Sequence, residues 1–351
     1  MNLLRTLAFL PLLCGATLGQ CATQVTAPEP AKVADARDFS QWMLPAQPAY
    51  PANNAPTAAR VELGKMLFFD PRLSRDGNIS CASCHNPGLG WSDGLATARG
   101  FQGKLLGRAS PTIVNTGYNT IHMWDGRKKT LEDQAIGPME AASEMNTELE
   151  PLFAWLNANQ GYKAAFAKAY PGEAIGPDTL KRAIATFERT IVSRTSPFDR
   201  WVGGDKQAMA PQQLRGMLLF NDKEKTNCVA CHAAPNFSDN GFHNVGLASF
   251  GGAQPDLGRY AQKPVALMKG AFKTPSLRDV ERTAPYFHDG SAKNLMAVIE
   301  HYTQGGTARG NVSANMKPLT LTQADKEDLV AFLRALSSPA APLVYPILPL
   351  D

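Results

Sequence analysis

The chain has 351 residues, of which 44% are hydrophobic and 19% are charged, and its formal net charge is +4. This length is typical of about two domains, the hydrophobic share excludes a disordered chain, and the near-neutral charge without a long basic run argues against a nucleic-acid partner. Only the first twenty residues are apolar enough to suggest membrane contact, which excludes a multi-span membrane protein.

The N-terminus has the pattern of a secretory signal peptide. Arg5 precedes an apolar run at residues 7–13, and a proline and a glycine make the segment too short and too broken for a spanning helix. We therefore expect residues 1–20 to be removed on export, leaving a periplasmic protein with no transmembrane span. Lipid attachment at Cys21 is a second interpretation, because residues 18–21 resemble a lipoprotein signal.

Helical patterns follow a proline-rich stretch. Residues 21–56 contain six prolines, which predicts an extended lead-in rather than a domain. Residues 147–150 form a capping-box pattern that opens a segment with one apolar face. A second apolar stripe runs over residues 180–191, and Thr322 can cap a helix near the C-terminus. Since no segment shows sustained alternation of apolar and polar residues, we predict an all-α fold.

An internal repeat divides the rest of the chain. Residues 64–70 (GKMLFFD) are echoed by residues 215–221 (RGMLLFN), and a cysteine pair follows each within fifteen residues. The simplest interpretation is two related helical domains, divided near residue 205. The long loops at residues 86–120 and 235–276 need something to order them, and a bound cofactor would do so.

Two cysteine pairs are each followed directly by a histidine. The residues are Cys81, Cys84 and His85 in the first motif and Cys228, Cys231 and His232 in the second. In the C-x-x-C-H spacing two thiols can add to the vinyl groups of one haem, and the adjoining histidine can bind the iron. A zinc site is a poorer interpretation because the pairs are far apart and each has its own histidine, and a thioredoxin-like site would need one motif beside a βαβ pattern.

The motifs therefore predict two cytochrome c-like helical domains, each with one covalent c-type haem and long ordered loops. The first covers residues 57–205 and the second residues 206–351. Four cysteines would carry haem and Cys14 would leave with the signal peptide, so the mature protein is expected to have no disulfide bond.

Whether the iron has a sixth ligand distinguishes an electron-transfer haem from a catalytic one, because only an iron with an open position can bind a substrate. No histidine lies between His85 and His122, so the loop after the first motif cannot supply one. The histidines outside the two motifs are His122, His243, His288 and His301.

The chain resembles the bacterial di-haem cytochrome c peroxidases and their MauG-like relatives over nearly all of residues 57–351. Besides the two haem motifs, the similar segments are residues 63–74, 124–127, 144–146, 283–288 and 345–349. The resemblance implies that His85 binds a peroxide-reacting haem and His232 an electron-transferring haem. We also expect the C-terminal tail to pack back on the first domain.

The resemblance implies a peroxide pocket at the first haem. Glu144 and Gln134 match its polar residues, Pro138 matches a residue that lines it, and Trp124 matches a tryptophan between the haems that can relay electrons. A glutamate in this place is suited to move a proton from the near to the far oxygen of bound peroxide, so that water leaves. Gln134 would orient the peroxide by a hydrogen bond.

Two positions depart from the ordinary peroxidases. Phe101 stands where they have a histidine that closes the resting haem, which implies a five-coordinate iron that reacts without prior reduction. Tyr302 stands at the methionine ligand of the second haem, with His301 as the alternative ligand, and a phenolate stabilises high-valent iron. Both departures are typical of the MauG-like branch, in which a bis-ferryl state shares two oxidising equivalents across both haems.

The family also binds calcium between its domains. An asparagine side chain and backbone oxygens hold the ion, and the backbone positions match Thr283 and Pro285. Ala109 occupies the asparagine position, so we expect a weakened calcium site.

The leading interpretation is a periplasmic enzyme that uses hydrogen peroxide to generate a strong oxidant and then oxidises an external donor or a residue on a partner protein. The first alternative is an ordinary cytochrome c peroxidase that detoxifies peroxide with electrons from a small cytochrome c or cupredoxin. The second is a non-catalytic di-haem electron carrier, which would have two six-coordinate haems and no response to peroxide.

Overall fold

The computed structural model describes residues 38–350. The signal peptide expected at residues 1–20, the lipid site at Cys21 and the first part of the lead-in lie outside the described residues. Within residues 38–350, no helix combines the length and the apolar character needed to cross a membrane.

The described chain is helical, as the sequence predicts. The ten α-helices between residues 38 and 350 are α1 (Ala58–Phe69), α2 (Cys81–Cys84), α3 (Leu131–Glu140), α4 (Leu149–Ala158), α5 (Gln160–Ala169), α6 (Pro177–Glu188), α7 (Pro197–Val202), α8 (Pro211–Phe220), α9 (Leu295–Thr303) and α10 (Gln323–Ala335). Two short strands, β1 (Phe242–His243) and β2 (Phe272–Lys273), pair antiparallel inside the second long loop.

Side-chain caps fix several helix starts, and one predicted cap is wrong. Thr322 accepts a hydrogen bond from the backbone N–H of Asp325 and begins α10, as expected. The capping box expected at residues 147–150 does not form, because the Thr147 hydroxyl donates to the carbonyl oxygen of Leu73 instead. Helix α4 therefore follows Glu148, which makes no side-chain cap.

The sequence repeat corresponds to two helix crossings with the same geometry. Gly64 in α1 crosses α6 so closely that an added Cβ would lie 1.9 Å from the carbonyl oxygen of Ala183. Gly216 in α8 crosses α10 in the same way, with 1.9 Å from an added Cβ to the carbonyl oxygen of Asp328. Only glycine permits such an approach, which is why the repeat keeps it.

Each crossing supports a separate hydrophobic core. The first core lies among α1 and α3–α6, where the rings of Phe68 and Phe187 are 5.2 Å apart. The second core lies among α7–α10, where the rings of Phe220 and Phe332 are also 5.2 Å apart. Inclined contacts between aromatic rings stabilise packed side chains beyond the area that they bury.

The lead-in is irregular, as its prolines predict, but its end is part of the structure. Phe39 and Trp42 are buried in the second core, where the ring of Phe39 lies 5.6 Å from that of Trp201. Asn54 is fully buried in the first half of the molecule and donates to Glu132 over 3.0 Å. The segment therefore ties both halves together, since burying these groups stabilises the folded chain.

The C-terminal tail lies on the first half of the molecule. The ring of Tyr345 is 5.3 Å from the ring of Phe69, and the carbonyl oxygen of Pro349 accepts a hydrogen bond from Arg72 over 2.9 Å. Each end of the described chain thus packs on the opposite half: the N-terminal segment reaches the second core, and the C-terminal segment reaches the first.

The two crossing glycines give a direct test of the fold. Gly64→Ala or Gly216→Ala should lower the free energy of unfolding by about 3 kcal/mol or more, since the methyl group would overlap a backbone oxygen. The midpoint of guanidinium unfolding measures the change. Gly107→Ala is the matched control, because no atom lies within 4 Å of its added Cβ. Equal midpoints in all three variants would contradict the crossing geometry.

Candidate haem sites and the interface between them

The first cysteine pair is presented by a single helical turn. Helix α2 is capped by Ser80, whose backbone N–H donates to the Ser83 hydroxyl over 3.0 Å. Both cysteines of the motif have free thiols. His85 follows the turn, and its Nδ1 donates to the carbonyl oxygen of Trp91 over 3.3 Å. Because this bond fixes the ring through Nδ1, Nε2 stays available to an iron.

The second pair repeats this arrangement in a tighter turn. Cys228 begins a 3₁₀ turn that ends at Ala230, and both thiols of the motif are free. His232 donates from Nδ1 to the carbonyl oxygen of Phe237 over 3.0 Å, which again leaves Nε2 available. Burial lowers the pKa of His232 to about 4, so the ring is neutral at physiological pH. Two free thiols and one neutral imidazole at each motif fit the attachment of a c-type haem.

One cluster beside the second pair has the composition of a metal site. The Sγ of Cys231, a carboxylate oxygen of Asp239 and an imidazole nitrogen of His243 lie within 4.8 Å of one another. A hydrogen bond of 2.8 Å joins His243 to Asp239, and it is the main reason that the pKa of His243 rises to about 10. Haem attachment would use the thiol, so the cluster is better described as an ion pair at the edge of the haem site.

Two residues expected at the peroxide pocket meet at one corner of the fold. The backbone N–H of Phe101 donates to the carbonyl oxygen of Ser143 over 3.1 Å, which places the phenylalanine beside Glu144. Gly100 allows this contact, since an added Cβ would lie 2.0 Å from the same oxygen. Burial raises the pKa of the Glu144 carboxyl, although Arg127 opposes the shift.

The same corner lies close to the first cysteine pair. Burial, followed by the charges of Asp93 and Glu144, raises the pKa of the Cys84 thiol to about 11. The Glu144 carboxyl is thus within electrostatic reach of the atom to which a haem vinyl group would be attached.

Helix α3 carries the other two expected pocket residues. Gln134 and Pro138 are one helical turn apart and therefore lie on the same face. The carbonyl oxygen of Pro138 accepts a hydrogen bond from the backbone N–H of Met145, the residue after Glu144. The structure thus brings Phe101, Glu144 and Pro138 together, with Gln134 one turn away.

Aromatic rings connect the two halves at Trp124. The indole N–H of Trp124 donates to the carbonyl oxygen of Ala109 over 2.9 Å, and its ring lies 6.4 Å from the ring of His288. His288 in turn stacks on Phe272, with 3.5 Å between ring centroids and 16° between ring planes. Burial lowers the pKa of His288 to about 4, so a neutral ring takes part in the stack.

An ion-pair network holds the aromatic rings in place. Arg108 donates to both carboxylate oxygens of Asp256 over 2.6 and 2.9 Å and to Asp125 over 2.9 Å. Its guanidinium also lies over the ring of Phe272, 5.4 Å from the centroid. Sequence reasoning missed this network and the His288 stack, because the residues come from distant parts of the chain and match no motif.

The calcium site of the family does not fit the residues present. Ala109 is buried and has no side-chain oxygen, its backbone N–H donates to the carbonyl oxygen of His288 over 2.7 Å, and its own carbonyl oxygen accepts from Trp124. The hydroxyl of Thr283 donates to the carbonyl oxygen of Val280 over 3.1 Å. Calcium requires several oxygen ligands, and this corner offers no side-chain oxygen at the asparagine position.

The side chains of Tyr302 and its neighbour His301 have different surroundings. Burial, followed by the charges of Cys231 and Cys228, raises the pKa of the Tyr302 hydroxyl, so this hydroxyl is within electrostatic reach of the second cysteine pair. The Nε2 of His301 donates to the carbonyl oxygen of Val245 over 2.8 Å. The imidazole of His301 is thus held by a backbone carbonyl, whereas the Tyr302 hydroxyl lies near the second pair.

Comparisons with known proteins agree with this geometry. Residues 58–207 match the sequence model of the family described as di-haem cytochrome c peroxidase. The chain is 43% identical over 301 residues to the methylamine utilization protein MauG of Methylophilus methylotrophus, which covers 85% of this chain and 88% of that protein. It is 42% identical over 349 residues to the MauG of Methylorubrum extorquens, which covers 98% of this chain and 97% of that protein.

The chain belongs to the di-haem cytochrome c peroxidase family. A solved structure of a MauG-like protein associated with microbial copper homeostasis superimposes with a TM-score of 0.78 at 31% identity, over 84% of this chain and 95% of that one. The family resemblance predicted from the motifs is confirmed. Membership in the family implies c-type haem as the cofactor and peroxidase-type oxidoreductase chemistry.

Proposed function

We propose that the protein is a periplasmic di-haem enzyme that reacts with hydrogen peroxide at an open first haem. The two haems, when bound, would share two oxidising equivalents, which would serve to oxidise a partner protein or an external donor. The observation that carries this proposal is the pair of residues at the two sites: Phe101 beside Glu144 at the first, and Tyr302 within electrostatic reach of the cysteines of the second.

The chain's own residues would hold both haems. The thioether residues are Cys81 and Cys84 for the first haem and Cys228 and Cys231 for the second, with His85 and His232 as iron ligands. When bound, c-type haem supplies one-electron redox chemistry and, at an open iron, a binding position for peroxide. The protein's part is to attach, orient and tune it.

An open first site is supported by where the other histidines lie. Each of the four has a different environment. His122 is buried near the positive charge of Lys273, and His243 forms an ion pair with Asp239. His288 stacks on Phe272, and His301 donates to the carbonyl oxygen of Val245. None of them is placed beside Phe101 and Glu144. The first haem would therefore have no histidine to close it.

Glu144 provides the proton chemistry that peroxide reduction needs. Converting one hydrogen peroxide to two waters takes two electrons and two protons. A carboxyl with a raised pKa can accept a proton from one peroxide oxygen and return it to the other, so that water leaves. Gln134 and Pro138, on the same face of α3, would orient the peroxide and limit the space around it.

Tyr302 and the aromatic rings support the sharing of oxidising equivalents. A phenolate ligand stabilises oxidised iron, whereas methionine favours the reduced form. Three neighbouring rings lie between the two halves. The centroid of His288 is 6.4 Å from that of Trp124 and 3.5 Å from that of Phe272. The ion pairs of Arg108 keep these rings fixed, which favours electron transfer without rearrangement.

We expect the fully oxidised, resting protein to show a high-spin haem signal and to react with hydrogen peroxide without prior reduction. Phe101→His should convert that signal to low spin and remove most of the direct reaction, because the new imidazole can close the first site. Stopped-flow absorbance measures both. Phe101→Leu is the control and should keep the wild-type reaction. A resting spectrum with two low-spin haems, or a requirement for prior reduction, would favour the electron carrier or the ordinary peroxidase.

Tyr302→Phe should change the low-spin electron paramagnetic resonance signal of the second haem and shorten the lifetime of the two-electron-oxidised protein. The reason is the loss of the phenolate, which is the only change at this position. His301→Gln is the matched control, because the His301 ring bonds a backbone carbonyl. If His301→Gln changed the signal and Tyr302→Phe did not, the ligand assignment would be wrong.

Glu144→Gln should slow the bimolecular reaction with peroxide by roughly 10²-fold, since the amide cannot accept and return a proton. Because burial raises the pKa of this carboxyl, the wild-type rate should fall on the acid side at a pH above that of a free glutamate, and the variant should lose this dependence. Glu140→Gln, on the exposed side of α3, is the control. An unchanged rate and pH profile would remove Glu144 from this role.

A further inference from the structure

The first half of the molecule buries an acid that the proposed mechanism does not use. Glu188 is the last residue of α6 and its side chain is 3% exposed. Its Oε2 atom is fully buried and has no hydrogen-bond partner within residues 38–350. A buried carboxyl oxygen without a hydrogen bond lowers the stability of the folded state, so a role other than stability is expected for it.

The internal repeat shows that the fold does not need an acid here. Residues 185–190 (ATFERT) align with residues 330–335 (VAFLRA), and both phenylalanines, Phe187 and Phe332, pack against a crossing glycine. The next position is Glu188 in the first half and Leu333, 5% exposed, in the second. Since leucine satisfies the same helix crossing, the acid serves the site of the first half rather than the crossing.

Glu188 lies near the first cysteine pair, because Cys81 packs against the hydrophobic core that contains Phe187, the residue before Glu188. Burial, followed by the charge of Glu188, raises the pKa of the Cys81 thiol, so the carboxyl is within electrostatic reach of that sulfur. Arg189 attracts the carboxylate and Glu132 repels it, but these two side chains already pair with each other over 2.7 and 3.0 Å. Burial raises the pKa of Glu188 to about 8, so it carries a proton at neutral pH.

We propose that Glu188 is the redox-linked proton carrier of the first haem: its carboxyl releases a proton when that haem loses an electron and takes one up on reduction. The proposal rests on the proposed function, because it requires a haem on Cys81 and Cys84. Loss of an electron adds one positive charge to the haem, and a buried carboxylate nearby offsets that charge. The electron goes to the oxidant and the proton to solvent.

The net charge of the haem and the Glu188 carboxyl together then changes little when the first haem is oxidised. A carboxylate beside the oxidised haem lowers the free energy of that state, which suits a protein that holds oxidising equivalents. Leu333 cannot do this in the second half, where the phenolate of Tyr302 would supply the negative charge at the iron instead. The two halves would thus stabilise oxidised iron by two different anionic groups.

The test is the pH dependence of the first haem's reduction potential. Oxidation lowers the pKa of Glu188, so between the two pKa values the wild-type potential should fall as the pH rises, with one proton bound per electron. Glu188→Gln and Glu188→Leu should both remove this slope. Potentials are read by mediated spectroelectrochemistry of the holoprotein, with no peroxide present. Redox-difference infrared spectra should show a protonated carboxyl band that Glu188→Gln removes.

Glu188→Leu carries the side chain that the second half already accepts, so it should fold and bind haem normally. If the slope and the infrared band persist in both variants, another acid such as a haem propionate carries the proton and the proposal is wrong. A wild-type potential that does not vary with pH would also overturn it. A holoprotein that keeps the slope but fails to react with peroxide would instead contradict the proposed function alone.

Discussion

Two helices can cross at backbone contact only where one of them lacks a Cβ, and each half of this molecule depends on such a crossing. Gly64 against Ala183 and Gly216 against Asp328 set the same distance in both halves. Residues 70–80 connect α1 to the first cysteine pair, and residues 221–227 connect α8 to the second. Cys81 and Cys228 each pack against the core that the crossing of their own half supports.

The two halves share this frame and differ in what surrounds it. In the first half the corner of Phe101 and Glu144 has no histidine, and Glu188 is buried near the cysteine pair. In the second half Tyr302 is within electrostatic reach of the cysteines, and Leu333 replaces the buried acid. The two halves thus share one scaffold but carry different side chains around their cysteine pairs.

The interface between the halves is rigid and polar. Arg108 bonds Asp125 from the first half and Asp256 from the second, and the stack of His288 on Phe272 lies directly beside this network. Partly buried charge pairs with two-point geometry fix orientation more than they add stability. The backbone of Ala109 bonds both Trp124 and His288 and so holds this corner together.

The sequence by itself determined the helical fold, the internal repeat, the two haem-binding motifs and the family, because each depends on residues that are close together in the chain. It also predicts Phe101 and Tyr302 as departures from the ordinary peroxidases, since both lie at fixed spacings from recognisable motifs. The capping box at residues 147–150 failed because the Thr147 hydroxyl found a tertiary partner in Leu73 that local spacing cannot reveal.

Only the tertiary structure decided which side chains meet. The hydrogen bond of His301 goes to a carbonyl more than fifty residues away, and the burial of Phe39 and Trp42 depends on a core formed by the other half of the chain. Glu188 looks like an ordinary helical acid in the sequence, and only its packing shows that its Oε2 atom has no hydrogen-bond partner within residues 38–350. Burial and pairing are properties of distant segments brought together, and for that reason they could not be read from the chain alone.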